Sequence, residues 1–204
     1  MADASCNTLL GDYTGAATTA DNCDASPVVT QSPAPGTTLS GAGTVQTVTL
    51  TSTDASGNSS NCTFDVTVMD TVSPTITCPA NTTQFADATC DVALADYTGA
   101  ATTADNCDAS PVVTQSPVAG TTISGAGTVQ TVILTSTDAS GNISSCTFDV
   151  TVMDTVSPTI TCPANTTEFA DASCDVSLPD YTGAATTADN CDASPVVTQS
   201  PVAG

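Results

Sequence analysis

The stretch Asp70–Thr83, DTVSPTITCPANTT, returns unchanged as Asp154–Thr167, and its reading decides the fold. Each copy follows a strand-like VTVMD ending and opens a new unit, with Pro74 or Pro158 closing a short linker. A second block, TGAATTADNCDASPVVTQSP, begins at Thr14, Thr98 and Thr182, so the period is 84 residues. Between Asp3–Asp70 and Asp87–Asp154 only eleven of sixty-eight aligned positions differ. Self-similarity at a fixed period marks a repeat architecture, here a tandem array built for length. The expected domains are 1–70, lacking its first strand; 71–154, complete; and 155–204, the N-terminal part of a further unit.

Within the complete copy, Cys146–Met153 alternates cleanly, with Phe148, Val150 and Val152 on one face and Thr147, Asp149 and Thr151 on the other. Thr75–Cys78, Cys90–Leu94, Pro111–Gln115, Thr121–Ser124 and Thr128–Thr137 also read as strands, separated by turns rich in Gly, Pro, Asp and Asn. Ala80–Thr89 reads as a polar connection, because Pro79 cannot donate to a ladder. No segment has helical periodicity. The fold class predicted is all-β: tandem immunoglobulin-like β-sandwich domains arranged as a rod or fibre.

The composition excludes several functions. The chain has no Lys, Arg or His and twenty-one acids, for a formal charge of −21. Phosphate recognition draws on Lys and Arg, so nucleic acid is not an expected partner. Direct membrane insertion is not expected either, since no stretch approaches a membrane span. A Ser or Cys triad lacks its base. Salt bridges between side chains are impossible, so the charge must be met by metal, counterions or partners.

Ten cysteines recur in phase, and none forms a CxxC pair. In small units rich in Thr and Ser this reads as a disulfide framework, and hence as an extracellular, cell-surface or secreted setting. No export signal is visible at the start, which reads as a window cut from a longer polypeptide.

The order PTITCPANTT, a second Cys, ATTADNC, then TSTDASGN and CTFDVTV resembles the hyalin repeat (HYR) domain, over every copy in the chain. The resemblance implies an immunoglobulin-like fold, extracellular placement and a role in adhesion. By the family pattern and by spacing, Cys78 pairs with Cys90, Cys107 with Cys146, Cys23 with Cys62, and Cys162 with Cys174. Four cysteines per unit admit three pairings.

In a sandwich of this kind the loops Asp105–Asp108 and Asp138–Asn142 lie at the end that receives the incoming linker. Asp70 should therefore approach Asp105, Asp108, Asp138 and Asn142. The next junction repeats the set as Asp154, Asp189 and Asp192. Carboxylates and amide oxygens without nitrogen or sulfur ligands suit Ca²⁺. The competing reading is that these residues only shape turns, which DASGN does well alone. Paired carboxylates also serve glycoside hydrolysis, but a small unit without an aromatic platform, copied along an array, does not read as an enzyme.

Five N-x-Ser/Thr sequons begin at Asn58, Asn61, Asn81, Asn142 and Asn165. Asp70-Thr71-Val72 and Asp154-Thr155-Val156 resemble a bacterial O-glycosylation motif, which marks Thr71 and Thr155 as glycosylation candidates.

The function expected is a repeat segment of a long extracellular fibre or adhesin stalk, stapled by disulfides and stiffened by Ca²⁺ at its junctions. The partners are neighbouring copies of the repeat. The alternative is a multivalent module that binds surface glycans or proteins, with Tyr13, Tyr97 and Tyr181 as the recurring aromatic.

Overall fold

A computed structural model describes Asp3 and residues 5–204, and its regular structure is strand. Repeat 1 contributes β1 (Asn7–Leu9), β2 (Val28–Ser32), β3 (Thr38–Ser40), β4 (Val45–Thr53) and β5 (Ser59–Thr67). Repeat 2 contributes β6 (Thr75–Thr77), β7 (Thr82–Phe85), β8 (Asp91–Ala93), β9 (Thr102–Ala104), β10 (Val112–Ser116), β11 (Thr122–Ser124), β12 (Val129–Thr137) and β13 (Ile143–Met153). Residues 155–204 add β14 (Thr159–Thr161) and β15 (Thr186–Ala188). Each TGA triplet, at Thr14–Ala16, Thr98–Ala100 and Thr182–Ala184, forms one 3₁₀ turn. Among the described residues no helix is long and apolar enough to cross a membrane.

The sheets repeat with the sequence. β2, β4 and β5 form one sheet, and β10, β12, β13 and β7 its enlarged counterpart. β1 pairs with β3 and β8 with β11, both antiparallel and in matching register. Thr and Val suit such half-buried ladders, where side chains alternate between core and solvent. Along β13 the burial alternates as the sequence predicts, with Phe148, Val150 and Val152 inside.

Two strands fall where the sequence predicts a loop. β7 lies in the polar stretch after Pro79 and pairs parallel with β13, from Val150↔Thr82 to Met153↔Phe85. β9 opens the Asp-rich loop and pairs with β6, Thr75↔Ala104 to Thr77↔Thr102. Pro79 therefore separates two short strands that join different sheets. With no N–H to give, it fits the break between them.

The compact units do not follow the repeats. Unit 1 comprises Met1–Cys78, Thr98–Thr114 and Leu134–Cys146; unit 2 comprises Pro79–Tyr97, Gln115–Ile133 and Thr147–Gly204. In unit 1, Leu10, Leu39, Val48, Leu50 and Val68 form a buried cluster, with Tyr13 and Phe64 packed against it. In unit 2, Val92, Leu94, Ile123, Val132, Phe148, Val150 and Val152 are buried. Tyr97 meets Phe148 edge-on at 4.9 Å, which makes it a packing residue.

The disulfides correct the sequence pairing. Cys78 bonds Cys146, where the spacing suggests Cys78 with Cys90. Cys107 bonds Cys6 of the preceding repeat, in place of Cys107 with Cys146. Cys90 bonds Cys191 of the following one. Cys23, Cys62, Cys162 and Cys174 are free and exposed, so neither Cys23 with Cys62 nor Cys162 with Cys174 is formed. The physical reason lies in the strands. Cys78 directly follows β6 and reaches β13, whereas β7 intervenes before Cys90. Cys90 then sits in a tight turn at φ 64°, as do Cys6 at 58° and Cys174 at 63°.

Candidate metal centre

Asp70 closes repeat 1 and is 6% exposed. Its Oδ1 accepts the N–H of Val72 at 3.0 Å, which turns the chain into the linker. Its Oδ2 is buried with no partner. Asp105, half-buried after β9, accepts from Cys107 N at 2.8 Å and Asp108 N at 3.0 Å through Oδ2. Its Oδ1 is likewise buried and unpartnered.

Asp138, 6% exposed, is the hub of the DASGN turn. Oδ1 accepts the N–H groups of Ser140 at 2.9 Å and Asn142 at 2.8 Å, and Oδ2 accepts Asn142 Nδ2 at 2.8 Å. Gly141 supplies the φ of 88° that closes the turn. Burial pushes the Asp138 carboxyl up, but the Asn142 side chain and the N–H groups of Asn142, Ser140 and Gly141 outweigh it, leaving it below its ordinary value.

One carboxylate oxygen from each of Asp70, Asp105 and Asp138 lies within 4.8 Å of the others. Three like charges repel at that separation, and the sequence contains no Lys, Arg or His to offset them. The donor set is oxygen only, and two of its residues carry buried oxygens that nothing satisfies. An unpaired buried charge is costly, and a cation placed there would satisfy these atoms. The residues fit a hard, oxygen-seeking ion.

Asp108 and Asn142, expected in the same set, are used otherwise. Asp108 Oδ1 accepts Ser110 N and Oδ2 accepts Ala139 N, both at 2.9 Å, so it ties the two loops together. Asn142 donates its Nδ2 to Asp138 and, at 3.4 Å, to the Asp70 carbonyl. It thus turns a donor towards the acids.

Residues 13–68 and 69–152 each match the HYR domain. The chain belongs to the HYR domain family. HYR repeats are non-catalytic modules of extracellular, adhesion-type proteins. No curated protein sequence matches the chain. With its disulfides, the HYR assignment points to an extracellular protein.

At the second junction, Asp154 is half-buried and accepts Val156 N at 2.9 Å. Asp189 repeats Asp105: Oδ2 accepts Cys191 N and Asp192 N, while Oδ1 is buried without a partner. Asp192 Oδ1 accepts Ser194 N at 2.8 Å. Among the described residues no triad forms here. Thr71 and Thr155 are both exposed.

Sequence reasoning missed Asn106 and Asn190. Asn106 Nδ2 donates to the Asp3 carbonyl and Asn190 Nδ2 to that of Asp87, each at 2.9 Å and 103 residues away. Each sits beside a cysteine bonded to the preceding repeat. A signal was present: local pairing left Cys6 and Cys191 without partners, one in the first repeat and one in the last.

Proposed function

We propose that this HYR chain is a structural segment of a long extracellular fibre or adhesin stalk. Ca²⁺ held by Asp70, Asp105 and Asp138 would fix each repeat to the next. What supports the metal is the pair of orphaned, buried carboxylate oxygens, one on Asp70 and one on Asp105, drawn from successive repeats of a chain without cations. Ca²⁺ takes six to eight oxygen ligands, so main-chain carbonyls and water would complete its shell. With most of the junction's charge offset, load passes between repeats with far less like-charge repulsion pushing them apart. Exposed Thr71 and Thr155 are proposed to carry sugar on the two linkers, which an intact mass of the native protein checks.

The test is a Ca²⁺ titration by calorimetry with small-angle scattering in parallel. Saturable binding weakened about tenfold in Asp105→Asn, with an extended particle that becomes more flexible on chelation, is the expected result. No binding would remove the ion from the proposal. A compact globular particle would overturn the stalk.

A further inference from the structure

The two disulfides that leave a repeat have the same span. Cys6–Cys107 and Cys90–Cys191 each close a separation of 101 residues, while the period is 84. The loops are therefore longer than the repeat and overlap from Cys90 to Cys107. Cys78–Cys146 lies across that overlap. We infer a further function: the chain is a tether that stays covalently continuous after its backbone is cut. Every peptide bond between Cys6 and Cys191 lies inside at least one disulfide-closed loop. A single cleavage there nicks the chain without parting it.

The exposed linkers show what this does. Thr71, Val72 and Ser73 are all exposed, as a cleavage site must be. A cut among them leaves Cys6–Cys107 joining repeat 1 to repeat 2. A cut at 155–157 leaves Cys90–Cys191 joining repeat 2 to the third repeat. Even one cut in each linker leaves all three segments connected. Local pairing, Cys78 with Cys90 and Cys107 with Cys146, would close loops inside one repeat and protect neither linker. The absence of Lys and Arg removes cleavage after basic residues altogether. The relay covers the cleavages that remain.

The local structure favours this pairing over the local one. The turn Asp3–Asn7 is built by its own atoms: Cys6 N donates to the Asp3 carbonyl, and Asp3 Oδ1 accepts from Ser5 and Asn7. The same turn holds Cys90, with Cys90 N donating to the Asp87 carbonyl at 3.1 Å. It also holds Cys174, which is free, with Cys174 N donating to the Asp171 carbonyl at 3.1 Å. The left-handed turn is thus written into the sequence and exists before any bond forms. On the receiving side, Asp105 and Asp189 cap the loops that carry Cys107 and Cys191. Asn106 and Asn190 fasten those loops to the carbonyls of the cysteine turns. The sulfurs meet because hydrogen bonds on both sides bring them there. None of this depends on a bound metal.

The methionines permit a test on the unaltered protein. Met69 and Met153 each precede a linker, so cyanogen bromide cuts once at each junction. The free thiols are alkylated first, and the acid of the reaction suppresses thiolate exchange. The expected product is a single species on a denaturing, non-reducing gel. Reductant should split it into residues 2–69, 70–153 and 154–204. Three separate fragments without reductant would overturn the proposal. A second arm uses Cys6→Ser with Cys107→Ser. After cleavage this variant should release 2–69 alone and keep the other two joined. Retention of 2–69 would mean that some other bond carries the continuity, and would equally overturn it.

Discussion

Repeats 1 and 2 carry nearly the same residues yet bury them to different depths. Phe148 is 4% exposed and Val150 fully buried, whereas Phe64 and Val66 at the same positions are half-buried. Ser136 is fully buried, and Ser52 is not. The difference is one segment. In repeat 2, β6 pairs with β9 and β7 extends the sheet beside β13. Among the described residues, repeat 1 has no counterpart of either. There a cavity of about 430 Å³ opens between Tyr13, Ala17, Leu50, Cys62 and Phe64. The strands of the large sheet, although they carry Val132, Leu134, Phe148, Val150 and Val152, do not alone set the burial of these residues. The short polar segment after the linker completes it.

Removing the staple of that segment is the harshest way to break the comparison. Cys78→Ser with Cys146→Ser opens a separation of 68 residues, for which the chain-entropy estimate is about 4 kcal/mol. Amide exchange over β12 and β13 should accelerate towards that of β4 and β5. Unchanged protection would mean that pairing of β6 with β9 suffices alone. A core truncation sharpens the contrast. Leu134→Ala, at a fully buried site, should cost roughly 3 kcal/mol. Leu50→Ala, beside the open cavity, should cost less, because water already reaches that wall. Equal losses in repeat-resolved exchange would contradict the difference in burial.

The two junctions invite the same treatment. Asp70, Asp105 and Asp138 meet at the first, and Asp189 lies outside that triad. Asp105→Asn is expected to weaken binding on the order of tenfold, since ligand charge tunes such sites. Asp189→Asn, outside the triad, should leave the calorimetric titration unchanged. Asp108→Asn separates site from turn: it should loosen the tie to Ala139 without moving the affinity.

How legible all this was depended on whether the deciding contact was local. The period and the alternation of β13 lie in adjacent residues, so the strands and the HYR resemblance could be read directly. The triad was legible because each acid bounds a loop at one end of the sandwich. Asp108 and Asn142 were drawn into it because their residue types serve turns as well as ions. β7 was not legible: TTQF has little apolar signal, and its pairing with Val150–Met153 is long-range. The disulfides failed for a related reason. Nearness of Cys78 to Cys90 in the chain says nothing of the left-handed turn that gives Cys90 to Cys191.

Acid should produce the smallest effect and compare the two DASGN turns directly. Asp54 in repeat 1 is held below its ordinary value mainly by the Asn58 side chain, against burial and with help from the N–H groups of Asn58, Ser56 and Gly57. Asp138 has the same donors, but burial is the largest influence on it and opposes them. Both carboxyls remain depressed in the fold. Each turn therefore contributes stability that is fully present above the unfolded value, near 3.8, and is lost as pH falls through the lower folded one. Between pH 7 and about 5 neither turn should change. Carboxylate resonances followed by NMR should show both acids titrating below 3.8, with local opening of Ser56–Asn58 and Ser140–Asn142 as they protonate. Without metal, the loss at Asp138 also relieves the repulsion from Asp70 and Asp105, so its turn should open less on acidification than that of Asp54. With Ca²⁺ bound, protonation must first expel the ion, so the Asp138 turn should open at still lower pH and the gap between the two turns should widen. A gap indifferent to Ca²⁺ would separate the turn from the triad and leave DASGN as a turn alone.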